Sequence, residues 1–220
     1  MLTFMKVPCS GVILAGGRNT RFSGKDKAFL TVGAVRIIDR LLHLFKELFD
    51  EVILVTNDPL KYLEWDVYIV TDLFPLRSSL TGIHAGLFHA ASPYAFFSAC
   101  DTPFLKKELV ETIVDTIESN VDIVIPETAK GMEPLCAAYS QRCLLPITQH
   151  LEKNQLKIQS IFNKARIRTL QESALRKIDP DLTSFYNINT PGDLARAEEI
   201  MVSQHGFEPH YRSDKDPSGL

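Results

Sequence analysis

Residues 11–30 read GVILAGGRNTRFSGKDKAFL. Gly11–Ala15 is a short apolar run halted by Gly16 and Gly17. A run of that length closed by glycine predicts a buried strand. A polar segment with Arg18, Arg21, Lys25 and Lys27 comes next. Backbone N–H groups in such a turn point at anions, and glycine keeps side chains out of the way. Arg21 and Lys27 can add charge-assisted hydrogen bonds to phosphate oxygens. The stretch predicts a phosphate-holding loop at a strand end.

Two common phosphate loops do not fit it. A Walker A loop needs G-x-x-x-x-G-K-[ST], but Gly17 and Gly24 are seven apart and Asp26 follows Lys25. A dinucleotide fingerprint needs G-x-G-x-x-G opening directly into a helix. Gly16-Gly17-Arg18 does not supply it, and the next helical pattern begins only near Val35.

Outward from the loop, strand and helix patterns alternate. Ile38, Leu41, Leu42, Phe45, Leu48 and Phe49 fall at helical spacing, which predicts a helix over Val35–Phe49. Glu51–Thr56, Val67–Val70, Ala95–Cys100 and Val121–Ile125 read as further buried strands. Leu80–Ala91 and the region around Leu109–Ile117 read as helices between them. Beyond Pro126 the pattern loosens, with a strand at Leu135–Tyr139 and a helix at Cys143–Leu151. Thr190-Pro191-Gly192-Asp193 has the form of a helix start, with Thr as cap and Asp three residues on. The alternation implies an α/β fold with a mostly parallel sheet and helices on both faces. Such sheets bind ligands at the carboxyl ends of their strands. The polar residues stand there: Gly16-Gly17, Asn57, Asp72 and Asp101 each follow a predicted strand.

Bulk properties narrow the classes. The chain has 220 residues, 45% hydrophobic and 23% charged, which is ordinary globular usage. A net charge of −3 lacks the basic excess of a nucleic-acid binder. The four cysteines, at 9, 100, 136 and 143, form no C-x-x-C pair and no zinc spacing, as in thiols of a reducing compartment. The start has no signal-peptide pattern and no apolar run reaches the length of a bilayer span, so a cytoplasmic location and no membrane partner are expected. One domain over 1–202 and a flexible tail over 203–220 are expected from the polar, Gly- and Pro-containing end.

LAGGRNTRFSGKDKAFL resembles the L-A-G-G-x-x-x-R-[MF]-x-x-x-K signature of nucleotidyltransferases acting on small molecules. Its D-K-A ending, with LTGIHAGL at 80–87, FFSACDTPFL at 96–105 and FYNINTPGDLARAE at 185–198, resembles the molybdenum cofactor guanylyltransferases. The likeness runs over about 10–200. It departs at Phe22, where Met is usual, and at Arg77–Gly82, which replaces G-P-L-x-G. The resemblance implies a Rossmann-like three-layer nucleotidyltransferase fold. It implies transfer of GMP from GTP to molybdopterin with Mg2+ and release of pyrophosphate. It also implies partners among cofactor-insertion or molybdoenzyme chaperone proteins. A cytidylyltransferase on the same cofactor, another NTP transferase and a nucleotide-binding regulator without turnover are the alternatives.

On this reading Arg21, Lys27 and Asp101 are catalytic. Leu14, Ala15, Gly16 and Gly17 offer backbone to the nucleotide, and Lys27 reaches its phosphates. Asp101, a lone carboxylate at a strand end, suits Mg2+; the lesser alternative, compatible with it, is a cap for a helix near Pro103. Asp72 binds base or ribose, or caps a turn before Leu73. Asn57 reads a base edge or serves the turn before Asp58-Pro59. Asn187 and Asn189 face the pterin side or act as turn and cap residues before Thr190. Arg18 and Lys25 read as solvated helpers, and His84 and His89 as ordinary helix residues rather than a metal pair.

Overall fold

The computed structural model describes residues 8–16 and 27–205. Its strands are β1 (Cys9–Leu14), β2 (Thr31–Val32), β3 (Val35–Arg36), β4 (Val52–Val55), β5 (Tyr68–Val70), β6 (Tyr94–Ala99), β7 (Ile123–Thr128), β8 (Gly131–Met132), β9 (Cys136–Ser140) and β10 (Ile167–Gln171). Its α-helices are α1 (Ile37–Leu48), α2 (Ser79–His89), α3 (Lys107–Asp115), α4 (Leu144–Glu152), α5 (Glu172–Leu175) and α6 (Pro191–His205).

Eight strands form one sheet in the order β10-β7-β9-β6-β1-β4-β5, with β8 paired to β7. β5, β4, β1 and β6 run parallel, as do β7 and β10. β9 lies between β6 and β7 and runs antiparallel to both. The sheet is buried on its two faces. Ile13, Leu54 and Phe96 pack with α1, α3 and α6 through Ile38, Phe45, Leu109 and Ala197. Val12, Ile53 and Phe97 pack with α2 and α4 through Ile83, Leu87, Ile147 and Leu151. Strands buried on both sides read as the continuous apolar runs seen in the sequence. α2 sits so close to the sheet that a Cβ at Gly86 would meet Val12 and Phe97 at 2.7 Å. This is the expected three-layer α/β/α fold with a mostly parallel sheet.

The sequence expectations differ from the fold in four places. A hairpin, β2–β3, stands between the loop and α1; its turn is Gly33-Ala34, both with positive φ (58° and 67°). Two-residue strands carry no period, so only the glycine marked it. β10 and α5 occupy a region that showed no pattern. α3 begins at Lys107 with Lys106 as cap, so Asp101 is not a helix cap. α6 reaches His205, past the expected boundary at 202. Residues 206–220 lie outside the described residues, as do Gly17, Arg18, Arg21, Phe22 and Lys25. Among the described residues no helix is long and apolar enough to cross a membrane.

Candidate active site

The carboxyl ends of β1, β4, β5 and β6 surround a cavity of about 350 Å3. Leu14, Ala15, Gly16, Lys27, Asn57, Asp72, Asp101, Asn187 and Asn189 all line it. They come from chain positions up to 175 residues apart, brought together because parallel strands release their ends on one rim.

Lys27 is at the centre. Its Nζ donates to Asn189 Oδ1 at 2.7 Å and to Asp101 Oδ2 at 3.1 Å. The lysine and aspartate side chains are only 17% and 18% exposed, so this pairing is only weakly screened. Asp101 is fixed from both sides of its backbone. Cys100 N–H donates to Leu14 C=O at 3.0 Å, and Asp101 C=O accepts from Ile188 N–H at 3.0 Å. Thr102 closes the turn, its Oγ1 donating to Ala99 C=O at 2.8 Å. The second bond joins the end of β6 to the segment carrying Asn187 and Asn189, with Ile188 fully buried between them.

That segment is held by the start of α6. Asp193 Oδ2 accepts from the N–H groups of Asn189 at 2.9 Å and Thr190 at 2.7 Å, while Thr190 Oγ1 accepts from Asp193 N–H at 3.2 Å. This is the reciprocal cap expected from the sequence. The Asn189 and Thr190 hydrogen bonds, with the Lys27 charge adding, hold the Asp193 carboxyl below its usual range. Asn189 is thus a pocket residue whose main chain also belongs to the cap.

On the other side Asn57 Nδ2 donates to Asp72 Oδ2 at 2.6 Å. The two residues expected to contact the nucleotide separately form one pair. Burial pushes the Asp72 carboxyl above its usual value, opposed by the Asn57 hydrogen bond and the charge of Arg77. Asp58 N–H donates to Thr56 Oγ1 at 3.2 Å, so Thr56 rather than Asn57 closes that turn.

The backbone expectation for the loop is also sharpened. Ala15 N–H donates to Val55 C=O at 2.8 Å and Leu14 C=O is taken by Cys100. The sheet ladder uses the Ala15 N–H and the Leu14 C=O, while Leu14, Ala15 and Gly16 still line the cavity and Gly16 is the first residue beyond the ladder. Arg21 and Gly17 lie outside the described residues.

Sequence reading passed over Ser78, Ser79 and Leu135, which also line the cavity. Ser78 caps α2, its Oγ accepting from Thr81 N–H at 3.1 Å, and so turns a helix N-terminus toward the pocket. The S-x-x-T spacing within RSSLTG was the available signal. His84 and His89 are ordinary helix residues as expected: His84 is buried beside Phe74, its Nε2 3.0 Å from Thr148 Oγ1, and burial lowers its pKa.

For a metal, the donor chemistry here is oxygen: the Asp101 carboxylate and the amides of Asn187 and Asn189. Among the described residues no histidine lines the cavity, and no cluster of three or more His, Cys, Asp or Glu gathers that could hold an ion alone. Asp101 with amide oxygens fits Mg2+ shared with phosphates and water, not a closed protein cage, while Asp72, the other carboxylate that the described residues bring to the cavity, is bound by Asn57.

Residues 11–170 match the family model of the MobA-like NTP transferase domain. A molybdenum cofactor guanylyltransferase of Desulfosudis oleivorans is 50% identical over 192 residues, 87% of this chain and 95% of that protein. Among solved structures, molybdopterin-guanine dinucleotide biosynthesis protein A of Archaeoglobus fulgidus superposes with a TM-score of 0.78 at 28% identity, covering 88% of this chain and 99% of that one. A 4-diphosphocytidyl-2C-methyl-D-erythritol synthase of Anaerococcus prevotii (TM-score 0.64, 16% identity, covering 89% and 96%) shares the fold alone. The sheet order, the cavity at its strand ends and these likenesses agree: the chain belongs to the MobA-like nucleotidyltransferase family.

Proposed function

We propose that this enzyme transfers GMP from GTP to the terminal phosphate of molybdopterin. An acceptor phosphate oxygen attacks the α-phosphorus, the bond to the β-phosphate bridging oxygen breaks, and pyrophosphate leaves. The observation that carries the reading is the Lys27 ammonium bound to both Asp101 and Asn189 where the strand ends converge. The 50% identity to a guanylyltransferase over nearly its whole length supports the choice of GTP and of this acceptor.

The physical task is to bring two anions together and hold them in line, which is mostly positioning and electrostatics. Lys27 is placed to neutralise the nucleotide phosphates, and its low exposure makes that charge count for more than a solvated one. Asn189, pinned through its main chain by Asp193, holds Lys27 on station. Asp72 and Asn57 act together at the nucleoside end, where a carboxylate and an amide can take ribose hydroxyls or base-edge N–H groups. Arg21 is assigned to the phosphates with Lys27. Asp101, with oxygens of the substrates, would hold Mg2+, which supplies charge neutralisation and a template for the phosphates. The product would pass to a cofactor-insertion or molybdoenzyme chaperone protein in the cytoplasm.

The test is a panel of GTP, CTP, ATP and UTP, each incubated with molybdopterin and Mg2+, scoring pyrophosphate release. GTP should be preferred. Preference for CTP would replace guanylyl by cytidylyl transfer and leave the site chemistry unchanged.

A further inference from the structure

The two strips of chain that carry Asp101 and Asn189 are laced side by side. At one end Ile188 N–H donates to Asp101 C=O at 3.0 Å, and at the other Ser184 Oγ accepts from Lys106 N–H at 3.2 Å. The Phe104 and Tyr186 rings meet between these rungs, their centres 6.2 Å apart. The lacing ends in an ion pair sunk into the protein. Lys106 Nζ lies 2.8 Å from Asp179 Oδ1, and the Asp179 side chain is 0% exposed. Asp179 also accepts from Ser184 N–H at 2.7 Å and from Thr183 Oγ1 at 3.2 Å. Its main chain closes the turn before them, Asp179 C=O accepting from Leu182 N–H at 3.0 Å with Leu182 in the left-handed region at φ 54°. A leucine keeps that conformation only where its surroundings impose it.

Resting on the function proposed above, we infer that the Lys106–Asp179 pair is a positioning device for the transfer reaction, setting the separation of Asp101 and Asn189 across the Lys27 ammonium. Lys27 bonds Asp101 Oδ2 and Asn189 Oδ1 together, so a slip of one strip against the other breaks one of its two bonds. Asp193 grips the second strip at Asn189 and Thr190, and Asp179 grips it at Thr183 and Ser184. The stretch that carries Asn187 and Asn189 is thus hung between two carboxylates. Burial works against the Asp179 charge, but the Lys106 and Ser184 hydrogen bonds outweigh it and leave the carboxyl below its usual range. An ion pair whose carboxylate is buried and further hydrogen-bonded fixes its geometry far better than an exposed one. Neither Lys106 nor Asp179 lines the nucleotide cavity, so their influence on the reaction runs through the main chain. A misplacement of about 1 Å at the reacting groups can cost about 10²-fold in rate, which is what such a clamp prevents.

The test compares Asp179→Asn, Lys106→Met and Lys106→Arg with the wild type. It reads kcat and KM for GTP at saturating molybdopterin, with thermal unfolding of each protein to choose an assay temperature at which it is folded. Asp179→Asn and Lys106→Met should each lower kcat by about tenfold or more while KM for GTP stays within about twofold. Lys106→Arg keeps the cation and should recover most of kcat. Should Asp179→Asn fail to fold, the two Lys106 variants decide the matter. Variants that unfold at lower temperature yet keep the wild-type kcat while folded would overturn the inference, leaving the pair a staple of the fold and guanylyl transfer intact. A rise in KM for GTP with kcat unchanged would also overturn it, by assigning the strip to nucleotide binding. A wild type that transfers nothing to molybdopterin would sink the function itself, and this inference with it.

Discussion

The two halves of the sheet rim present their chemistry differently. On one half β5, β4 and β1 are parallel, and each carries its polar residue just after the strand: Asp72, Asn57, Gly16. On the other half β9 runs backward between β6 and β7, so the residues it brings to the rim, Glu133 and Leu135, precede it. The first half forms a tight cavity with a preassembled Asn57–Asp72 pair; the second forms a wider one lined by both acidic and basic side chains, among them Glu133, Glu172, Lys130 and Arg176. Lys27, bound to Asp101 and Asn189, lines the first cavity where the strand ends converge, and the function proposed above makes this cluster the reacting centre.

The largest expected effect is at that centre. Asp101→Ala should lower kcat by about 10³-fold or more, the scale of losing a principal source of transition-state charge stabilisation. The Kd for GTP, measured by calorimetry, should change only severalfold. Equal losses in both would remove the catalytic role and return Asp101 to substrate binding. A wild-type protein that binds GTP without turnover would be a regulator.

Next, Lys27→Met should cost about 10²-fold in kcat/KM, as for removal of one preorganised cationic donor. Lys27 bonds a residue from each flank, so KM for GTP and for the acceptor should both rise. A change confined to one substrate would assign Lys27 to that substrate alone.

The first half was legible in the sequence for a definite reason. Strands buried on both faces must be apolar throughout, so a polar residue at their end is conspicuous. GVILAGG, EVILVTN, VYIVTD and AFFSACD each announced a rim position that way. The second half was not legible by the same rule. β9 presents its beginning rather than its end, so Glu133 appears in the sequence as a loop residue before Pro134. β10 is an edge strand, half-buried, whose IRTLQ has no clean alternation. The Asn57–Asp72 pairing was beyond reach for another reason. It depends on β4 and β5 being neighbours in register, which only the sheet order reveals.

Below the rim, the second half has a staple of its own. Asp122, just before β7, takes hydrogen bonds from Arg166 Nε and Nη2 at 2.9 Å each, just before β10, and from Arg142 Nε at 2.6 Å, just after β9. Arg166 above all, then Arg142, holds the Asp122 carboxyl far below the usual carboxylate range. A depressed native pKa contributes stability above the ordinary carboxylate pKa, lost as pH falls through about 4 and below. Asp122→Asn should therefore destabilise by about 2 kcal/mol near neutral pH, since both arginines are partly solvated. The deficit relative to wild type should shrink in acid, as followed by urea unfolding at several pH values. At permissive temperature KM for both substrates should stay unchanged, because the staple lies at the opposite end of the strands from the rim. A constant deficit across pH would mean that packing, not charge, is what Asp122 supplies.

The smallest effect tests the first half alone. Asp72 is the reverse case: burial raises its pKa, so the native state holds the proton more firmly than the unfolded chain. Its contribution to stability is greatest in acid and falls as pH rises from about 4 through the raised value. At neutral pH the ionised carboxylate costs the free protein stability, as expected of a group kept for a ligand rather than for folding. Asp72→Asn removes that charge and can still hydrogen-bond Asn57. It should leave the unfolding free energy unchanged or raise it by under about 1 kcal/mol. KM for GTP should rise by about tenfold through loss of a charged acceptor at the nucleoside end. KM for the acceptor should not move. A parallel rise in both constants would mean that the nucleoside end and the acceptor are coupled through the rim, and that the separation of the two halves describes the fold but not the binding.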